Sequence, residues 1–451
     1  MNDSPVTFPA EERLAIEDLR DAWRLLDATE RVDGFRLLGL AESEEFFVGL
    51  STTDQRELLD QFTPSERRHW LRMLAPDDAA DLMQELDEHK RAELLALYDE
   101  SARRELATLL AYKEDVAGGL MNPRFARVRP EMTVEESILY LRRQANEGLE
   151  LYTYAYVLNR EQKLLGVVSF RDLFRSRASA LMRDVMKTEV INVNEEMDQE
   201  AVGAVFAEHD LVALPVVDSL GRMKGIVTVD DIVDVVQEEA TEDIQKIGGS
   251  VALDAPYLEV GLLGMLKKRL GWLTILFFAQ MLTVVAMKYF QARIETVSLL
   301  ALFVPLIISS GGNSGSQAST LVIRAMSLGQ VRLADWKRVF FHELAAGACL
   351  GLVLGSIGFC RILGLWPGSP AEADAFSWQL AATILCSVIG VVLWGTLIGS
   401  MLPLVLRRLG LDPASASAPL VATLCDVTGI LIYFATASFW LARIFENGVT
   451  P

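Results

Sequence analysis

Hydrophobic positions change their spacing along the 451-residue chain, and each change marks a different kind of structure. From residue 11 to about 116, apolar residues recur at helical spacing, and helix-start signals recur at close intervals. The segments 63–66 (TPSE) and 75–78 (APDD) place proline and acids where the first turn of a helix favours them. The pattern predicts a solenoid of short helices over residues 1–116, with a loose repeat length.

Residues 117–243 contain an internal repeat of strand and helix patterns. Segment 163–174 (KLLGVVSFRDLF) matches segment 222–233 (RMKGIVTVDDIV) at an offset of 59 residues. Each copy predicts a short strand that ends in a helix capped by Ser/Thr with an acid in its first turn. Amphipathic helices are predicted upstream, at 134–144 and 199–209, with a further strand at 213–218. The repeat therefore predicts two α/β modules of strand–helix–strand–strand–helix order.

An acidic helix surface and an amphipathic segment follow the repeat. Six acids lie three and four residues apart before and inside the connector: Asp231, Asp234, Glu238, Glu239, Glu242 and Asp243. Like charges at this spacing destabilise a helix by a few tenths of a kcal/mol per pair unless a cation neutralises them. Residues 258–269 (LEVGLLGMLKKR) predict an amphipathic helix that lies at the cytosolic face of a membrane.

Five apolar stretches then follow, each about 20 residues or longer and so able to cross a bilayer. They are residues 271–289, 297–325, 339–361, 378–406 and 414–443. Basic residues cluster at 267–269, 332–338 and 407–408, which are the segments expected on the cytosolic side. Five spans with a cytosolic N-terminus place the C-terminus outside the cell.

Charge divides in the same way as hydrophobicity. Residues 1–255 carry 52 acids and 29 Lys or Arg, a net charge of −23, whereas residues 256–451 carry 9 acids and 13 bases, a net charge of +4. The first part is predicted to be water-soluble and to attract cations, although acidity can also serve solubility alone. Such an acidic surface argues against nucleic acid as a partner.

The remaining reactive residue types exclude several classes of protein. All four cysteines lie in the apolar half, so no disulfide framework is predicted. The four histidines lack metal-ligand spacing, and no Walker loop or Ser/His/Asp set is present, so we expect neither a zinc site nor an enzyme. The first residues lack the basic and apolar regions of a cleavable signal peptide.

One carboxylate, Asp426, lies near the middle of the fifth apolar stretch. A charge at this depth costs about 2.5 to 3.5 kcal/mol on insertion scales, so it usually faces a water-filled path or a counter-ion. Lys and Arg lie only near the ends of the other spans. We therefore predict that a metal cation in passage is the partner. The alternative is a protonated Asp426 that hydrogen-bonds a neighbouring helix.

The second span is the other unusual stretch, because twelve consecutive residues from Ser309 are small or polar and none is charged. Asn313 and Gln317 lie one turn apart and are predicted to line a pore. Gly311 and Gly312 would expose backbone carbonyls there, although such glycines, like those of the third span, also suit close helix packing. On the fifth span, Ala422 and Thr423 precede Asp426 by one turn. Hard oxygen ligands of this kind suit hydrated Mg²⁺, with Mn²⁺ and Co²⁺ not excluded.

The order of these segments resembles the MgtE family of magnesium channels and transporters, and the repeat at 117–243 resembles a tandem of CBS domains. The motifs that carry the resemblance are 305–317 (PLIISSGGNSGSQ), 239–243 (EATED) and 424–429 (LCDVTG). The resemblance implies a multi-domain fold: a helical solenoid at 1–116, a CBS pair at 117–243, a connector and plug helix at 244–269, and a five-span pore domain at 270–451.

The resemblance also implies residue roles. It implies a homodimer in the lipid bilayer with a pore on the dimer axis, in which Asp426 recognises Mg²⁺ with oxygens near Ala422 and Thr423. Regulatory Mg²⁺ would bind acidic residues, here Asp172, Asp198, Glu200, Asp231, Asp234, Glu239, Glu242, Asp243 and Asp412, with Asp77, Asp78 and Asp81 as weaker candidates. In CBS domains the positions of Ser169, Asp172, Thr228 and Asp231 often hold adenosine ribose, so ATP is a candidate ligand. The alternative is that they only cap helices.

The sequence thus predicts Mg²⁺ uptake across a bacterial inner membrane, with closure by cytosolic Mg²⁺. Two alternatives remain at this point: a broader transporter of divalent ions such as Mn²⁺ and Co²⁺, and a nucleotide-responsive membrane sensor that transports nothing.

Overall fold

The computed structural model describes residues 14–84, 86–145, 153–253, 257–258, 260–364 and 375–442. Its contacts divide the chain into two compact units, Met1–Val236 and Gln237–Pro451. The division falls inside the last helix of the predicted CBS pair, seven residues before the boundary expected at residue 243. The end of the fifth predicted span, residue 443, lies outside the described residues.

The first unit begins with eight helices whose first residues are twelve positions apart. They are α1 Ile16–Ala22, α2 Ala28–Arg36, α3 Leu40–Val48, α4 Thr52–Gln61, α5 Pro64–Leu71, α6 Pro76–Gln84, α7 Glu88–Leu95 and α8 Glu100–Leu109. A 3-10 turn at Trp23–Leu25 extends the first of them. The predicted helical solenoid is therefore confirmed, and its repeat is a fixed twelve residues rather than a loose one.

Recurring polar contacts explain where the short helices begin and end. Side chains such as Asp27, Thr63 and Asp99 accept hydrogen bonds from the first-turn amides of their helices. At the other end, arginines donate to a carbonyl eight residues earlier and so satisfy the last turn of the preceding helix. These bonds join Arg31 to Trp23, Arg67 to Leu59, Arg91 to Met83 and Arg103 to Leu95.

The rest of the first unit contains two three-stranded sheets with the same topology. In each sheet the first two strands are parallel and the last two antiparallel. After α9 Ala117–Leu120, the first module consists of β1 Arg127–Val128, α10 Val134–Ala145, β2 Tyr154–Leu158, β3 Leu164–Ser169 and α11 Phe170–Arg175. After α12 Met182–Val185, the second consists of β4 Val193–Asn194, α13 Gln199–His209, β5 Ala213–Val217, β6 Met223–Thr228 and α14 Val229–Ile247. The predicted pair of α/β modules is confirmed.

The predicted plug helix is not a separate element within the described residues. After the end of α14 the chain turns at Gly249, whose φ of +78° is a conformation that favours glycine. Helix α15 then begins at Leu262, four residues later than predicted, and runs unbroken to Tyr289. The amphipathic segment and the first span are one helix because no proline separates them, and a helix tolerates Gly271 at a modest cost.

The second unit contains all five predicted membrane spans as helices, which confirms them. After the short α16 Gln291–Thr296 come α17 Leu299–Ser327, α18 Trp336–Ile362, α19 Ala375–Arg408 and α20 Ala418–Trp440. By length and composition, α15, α17, α18, α19 and α20 can each cross a membrane, the third together with the 3-10 turn Leu333–Asp335 before it. Helix α19 packs against α17, α18 and α20 and so forms the centre of the bundle.

Glycines allow these helices to approach closely. Gly311 and Gly315 of α17 face Gly395 and Gly399 of α19, and an added Cβ at any of them would clash with atoms of the other helix. Three glycines of α18 pack against α19 in the same way: Gly347, Gly351 and Gly355. The predicted close packing through small residues is confirmed for both helices.

Candidate functional site

A polar cleft of about 410 Å³ lies between three of the apolar helices. Helix α15 contributes Gln280 and Thr283, and α20 contributes Ala422 and Asp426. Helix α17 contributes residues that recur at helical spacing along one face: Pro305, Ile308, Ser309, Gly312, Asn313 and Ser316. Among these lining residues Asp426 is the one ionisable group, so the cleft presents a single carboxylate surrounded by neutral polar atoms.

The carboxylate of Asp426 is half-buried and has one hydrogen-bond donor among the described residues. Gln280 Nε2 donates to Asp426 Oδ2 at 2.7 Å, a bond that joins two helices across 146 positions of sequence. The alternative in which Asp426 hydrogen-bonds a neighbouring helix is therefore partly correct, because a neutral amide of α15 holds one of its oxygens. The other oxygen, Oδ1, receives no hydrogen bond from the described residues, and Asp426 is one of the residues that line the cleft.

The α17 wall supplies further neutral oxygens and nitrogens. Asn313 is exposed, and its Nδ2 lies 3.4 Å from Ser309 Oγ, while Ser316 Oγ donates to the Ala418 carbonyl at 3.2 Å. Gly312 packs against Ala422 of α20, and a Cβ added to it would lie at an ordinary contact distance of 3.5 Å. Gln317 is exposed one turn beyond Asn313 but does not line this cleft.

Two residues that the sequence grouped with the pore lie elsewhere. Gly311 is turned towards Val391 of α19 and serves helix packing. Thr423 is buried, and its hydroxyl donates to the Pro419 carbonyl of its own helix at 2.9 Å. Adjacent positions on a helix point about 100° apart, so Ala422 and Thr423 cannot share the face of Asp426 equally. The positions of Gly311 and Thr423 therefore give their pore role no support.

A second polar cluster in the same unit gathers three of the predicted regulatory acids. Lys246 Nζ lies 2.5 Å from Glu242 Oε1 and 2.8 Å from Asp412 Oδ2. Ser327 Oγ, at the end of α17, donates to Asp243 Oδ2 at 2.8 Å. These contacts join the last turns of α14 to α17 and to the segment before α20. We call Glu242, Asp243, Lys246, Ser327 and Asp412 the latch cluster.

The pKa values of Asp243 and Lys246 in the latch cluster are both raised above their ordinary values. Burial raises the pKa of Asp243, the hydrogen bond from Ser327 opposes this shift, and the nearby charge of Asp412 raises the pKa further. Burial alone would lower the pKa of Lys246, yet its bonds to Asp412 and Glu242 raise that pKa above the ordinary value. Lys246 is therefore charged at any physiological pH. Sequence reasoning missed it, although its spacing of four from Glu242 is the signal that identifies such a pair.

The residues considered for nucleotide binding are engaged in helix capping in both CBS modules. Ser169 Oγ donates to Asp172 Oδ2 at 2.7 Å, and Thr228 Oγ1 donates to Asp231 Oδ2 at 2.6 Å. Thr228 is buried, whereas Ser169 is half-exposed. Burial raises the pKa of Asp231, and the hydrogen bond from Thr228 opposes that shift. Ser169 also accepts from the Asp172 amide at 3.1 Å and so caps α11, whereas in the second module Asp231 accepts from the Thr228 amide at 3.3 Å. The first module leaves its pair more accessible.

The other predicted regulatory acids do not form a preassembled metal site. Asp198 caps α13 and accepts from the Glu200 amide at 3.0 Å, and Asp234 is exposed on α14. Asp77 is buried in the solenoid and accepts from Asn122 at 3.1 Å, which indicates a structural role. Within the described ranges, no three His, Cys, Asp or Glu side chains are grouped closely enough to hold a metal ion.

Comparison with known proteins identifies the family to which this architecture belongs. Profiles of three families match the chain: the divalent cation transporter domain MgtE at residues 304–436, the MgtE intracellular N domain at 14–115, and the CBS domain at 115–179 and 182–238. The magnesium transporter MgtE of Thermus thermophilus is 42% identical over 336 residues, which cover 74% of this chain and 72% of the relative. This chain belongs to the MgtE family of magnesium transporters.

Two further relatives, both magnesium transporters, agree with the family assignment. The magnesium transporter MgtE of Enterococcus faecalis is 32% identical over 74% of this chain and 71% of its own length, and that of Bacillus subtilis is equally identical over similar shares. A solved structure described as the cytosolic domain of the Mg²⁺ channel MgtE in complex with ATP is 38% identical, with a TM-score of 0.47, and covers 50% of this chain and 91% of that one.

Membership in the MgtE family confirms several expectations. The chain is a multi-pass membrane protein of a family of transporters, and it is not an enzyme. The predicted order of helical domain, CBS pair and membrane helices is the order of the matched family profiles. The roles of individual residues remain predictions.

Proposed function

We propose that this MgtE-family transporter carries Mg²⁺ into the cell through a pore that passes the Asp426 cleft. One observation carries the proposal: the cleft is lined by a carboxylate of which one oxygen has no hydrogen-bond donor among the described residues, and none of the lining residues is Lys or Arg. A charge at membrane depth needs a counter-ion, and the remaining source is a cation that enters the cleft.

The chemistry of the lining suits a hydrated ion. Mg²⁺ loses its coordinated water reluctantly, so a site that releases it quickly should contact the water shell rather than replace it. Hydroxyl and amide groups at Ser309, Asn313 and Gln280 can exchange hydrogen bonds with that shell, while Asp426 supplies the single charge. More carboxylates would hold the ion too tightly for passage.

Assembly as a homodimer is part of the proposal. Asn313 and Gln317 are exposed one turn apart on α17, a helix long and apolar enough to cross the membrane. Polar side chains at that depth require partners or water. A second copy that faces the same surface across a two-fold axis would enclose these amides and two Asp426 carboxylates in one aqueous path.

Inward flow and its control follow from charge. The membrane potential drives a cation inward with about 2.3 kcal/mol per charge per 100 mV, and doubly so for a divalent ion. We place the acidic first unit in the cytosol. Plentiful Mg²⁺ would there be attracted to Glu242, Asp243 and Asp412, which form no preassembled metal site and would have to move closer together to share an ion. Helix α17 carries both Ser327 of the latch cluster and the wall of the cleft, so an ion bound at one end can influence the other.

Nucleotide modulation at the CBS pair is a secondary proposal. It is supported by the repeated Ser/Thr–Asp pair at the end of β3 and β6, of which Ser169 and Asp172 are the more accessible. ATP should then shift the Mg²⁺ dependence of closure in the unmodified protein. We expect Asp172→Ala to remove that shift while leaving Mg²⁺ uptake at low cytosolic Mg²⁺ unchanged.

The main proposal is tested by Mg²⁺ uptake in a magnesium-auxotrophic bacterium and in proteoliposomes. Asp426→Asn should lower uptake by about a hundredfold or more, the size expected when a charge that contacts its partner ion is removed. Asp335→Asn is the matched control, because Asp335 only accepts a hydrogen bond from the Arg332 amide. Wild-type uptake by a correctly folded Asp426→Asn protein would exclude this path for the ion.

The range of ions is tested with the same proteoliposomes. Flux of Mg²⁺, Mn²⁺ and Co²⁺ at equal concentration separates a magnesium-selective pore from a broader divalent transporter. A site that binds the ion through its water shell should favour Mg²⁺. Mn²⁺ and Co²⁺ lose water more easily and gain less from an intact shell.

A further inference from the structure

The first membrane helix presents two polar side chains to the cleft in an otherwise apolar surface. Gln280 and Thr283 follow Leu276, the buried contact of α15, at intervals of four and three residues. Residues at this spacing share one face of a helix. The same face therefore carries the apolar contact with the bundle and then two hydrogen-bonding groups beside Asp426.

Thr283 differs from every other threonine described between residues 237 and 442. Each of the others donates its hydroxyl to a carbonyl of its own helix, three or four residues back: Thr241, Thr274, Thr296, Thr320, Thr383, Thr396, Thr423, Thr428 and Thr436. The hydroxyl of Thr283 is buried and has no hydrogen-bond partner among the described residues. A buried hydroxyl without a partner is unfavourable, and Thr283 lines the cleft, so a small rotation of its side chain would let the hydroxyl bond a molecule that enters there.

The Gln280 amide acts on Asp426 as a water molecule would. Its N–H group donates to Oδ2 from a neutral group, which is what a water of a hydrated cation does at a carboxylate. The bond fixes the orientation of the carboxylate and leaves Oδ1 for the ion. The amide oxygen and the Thr283 hydroxyl can then accept hydrogen bonds from the other waters of the shell.

We propose that Gln280 is a positioning residue for Asp426 and that Gln280 and Thr283 together form a third wall of the ion path, which recognises Mg²⁺ through its water shell. This inference rests on the proposed role of Asp426. It assigns part of the ion preference to the first span, whereas the sequence pointed only to the second and fifth. Without Gln280, Asp426 is free to turn and to contact a partly dehydrated ion, which favours ions that lose water readily.

The test compares Mg²⁺ and Mn²⁺ flux in proteoliposomes that contain the full-length protein. Gln280→Leu should raise the half-saturating Mg²⁺ concentration about tenfold and lower the ratio of Mg²⁺ to Mn²⁺ flux by a similar factor, because a hydrogen bond to a charged group is lost. Gln280→Glu should shift half-saturation the other way and reduce the maximal flux, since a second carboxylate binds the ion more tightly. A role in packing alone would reduce the flux of both ions equally.

Thr283→Val and Thr274→Val form a matched pair on the same helix. The first removes the unpartnered hydroxyl of a residue that lines the cleft, and the second removes one that donates to the Leu270 carbonyl. We expect Thr283→Val to raise half-saturating Mg²⁺ by about threefold, within the range for one neutral hydrogen bond, and Thr274→Val to leave it unchanged. These variants and Gln280→Glu keep the test decisive if Gln280→Leu fails to fold.

Asp426→Asn in the same preparation distinguishes a failure of the proposed ion path from a failure of the role assigned to the first span. Normal flux in Asp426→Asn would overturn the proposed path itself. An inactive Asp426→Asn, together with an unchanged ion ratio in folded Gln280 variants and equal behaviour of the two threonine variants, would leave the path intact and overturn the role of the first span.

Discussion

Two groups of carboxylates in the second unit have opposite surroundings. Asp426 lies among neutral groups and is held by one amide, that of Gln280. Asp412 and Glu242 share a permanent cation, Lys246, and Asp243 is bonded to a hydroxyl. A carboxylate without a fixed counter-ion can exchange mobile ions, whereas one that is bound to a lysine holds structural elements together. Under the proposed function, the same residue type would serve conduction at one site and attachment at the other.

The charge of the latch cluster also indicates how an ion could regulate it. Three acids and one lysine leave two negative charges uncompensated when all are ionised. A divalent cation would neutralise that remainder, while a monovalent ion would not. The contact in the structure is thus already formed through Lys246 and Ser327, and Mg²⁺ would strengthen it rather than create it.

The largest expected effect comes from neutralising three acids near the end of α14, two of which belong to the latch cluster. Neutralising Glu239, Glu242 and Asp243 together, as Glu239→Gln, Glu242→Gln and Asp243→Asn, should leave the pore open at cytosolic Mg²⁺ concentrations that close the wild type. The half-inhibitory concentration should rise by about tenfold or more, because several charge contacts to the ion are lost at once. Electrophysiology on excised patches with controlled cytosolic Mg²⁺ measures this directly. Full inhibition of the triple variant would place the regulatory site elsewhere.

Removing the fixed cation sharpens the comparison, because it makes the latch cluster resemble the Asp426 site. Lys246→Met leaves Asp412 and Glu242 without their counter-ion. We expect more flux at very low cytosolic Mg²⁺ and a half-inhibitory concentration lower by about fivefold, since Mg²⁺ no longer competes with the ammonium group. Lys267→Met is the control, because Lys267 is exposed on α15 and outside the cluster. An increase in the half-inhibitory concentration would show that Lys246 assists the bound ion instead.

The smallest expected effect is a dependence on pH. The pKa of Asp243 is raised above its ordinary 3.8, so the folded protein takes up this proton before the unfolded chain does. As pH falls from the raised pKa towards 3.8, the contact should therefore gain stability rather than lose it. In Mg²⁺-free buffer the wild type should gain at most a few degrees in Tm relative to Asp243→Asn over that interval. The difference between the two proteins is the quantity to measure, because the many acids of the first unit respond to pH in both.

Sequence patterns predicted the regular elements well because those depend on local chemistry. Ser169 accepts from the Asp172 amide and Asp231 accepts from the Thr228 amide, as the spacing of these pairs indicates, and the five apolar stretches are helices. The twelve-residue solenoid period was also present in the sequence. Large apolar residues recur at Leu38, Leu50, Phe62, Leu74, Leu86, Tyr98 and Leu110, and the irregular polar residues between them hide the repeat.

The candidate site was predicted only in part because its contacts are non-local. Asp426 stood out as a charge in an apolar stretch, but nothing near it in the sequence indicates Gln280, which lies 146 positions away. A single glutamine and a single threonine in a span are too common to suggest a site. The direction in which Gly311 and Thr423 point depends on how their helices are rotated within the bundle. Two neighbouring positions on a helix point about 100° apart.

The most direct test of the central claim is the location of the ion itself. Mn²⁺ can stand in for Mg²⁺ and scatters X-rays anomalously, so crystals of the full chain grown with Mn²⁺ reveal where the ion resides in the membrane part. We predict a peak in the cleft about 4 to 5 Å from the carboxylate oxygens of Asp426, a distance that leaves room for one coordinated water between them. Peaks confined to the acidic first unit or to the latch cluster, with none in the cleft at saturating Mn²⁺, would contradict the account.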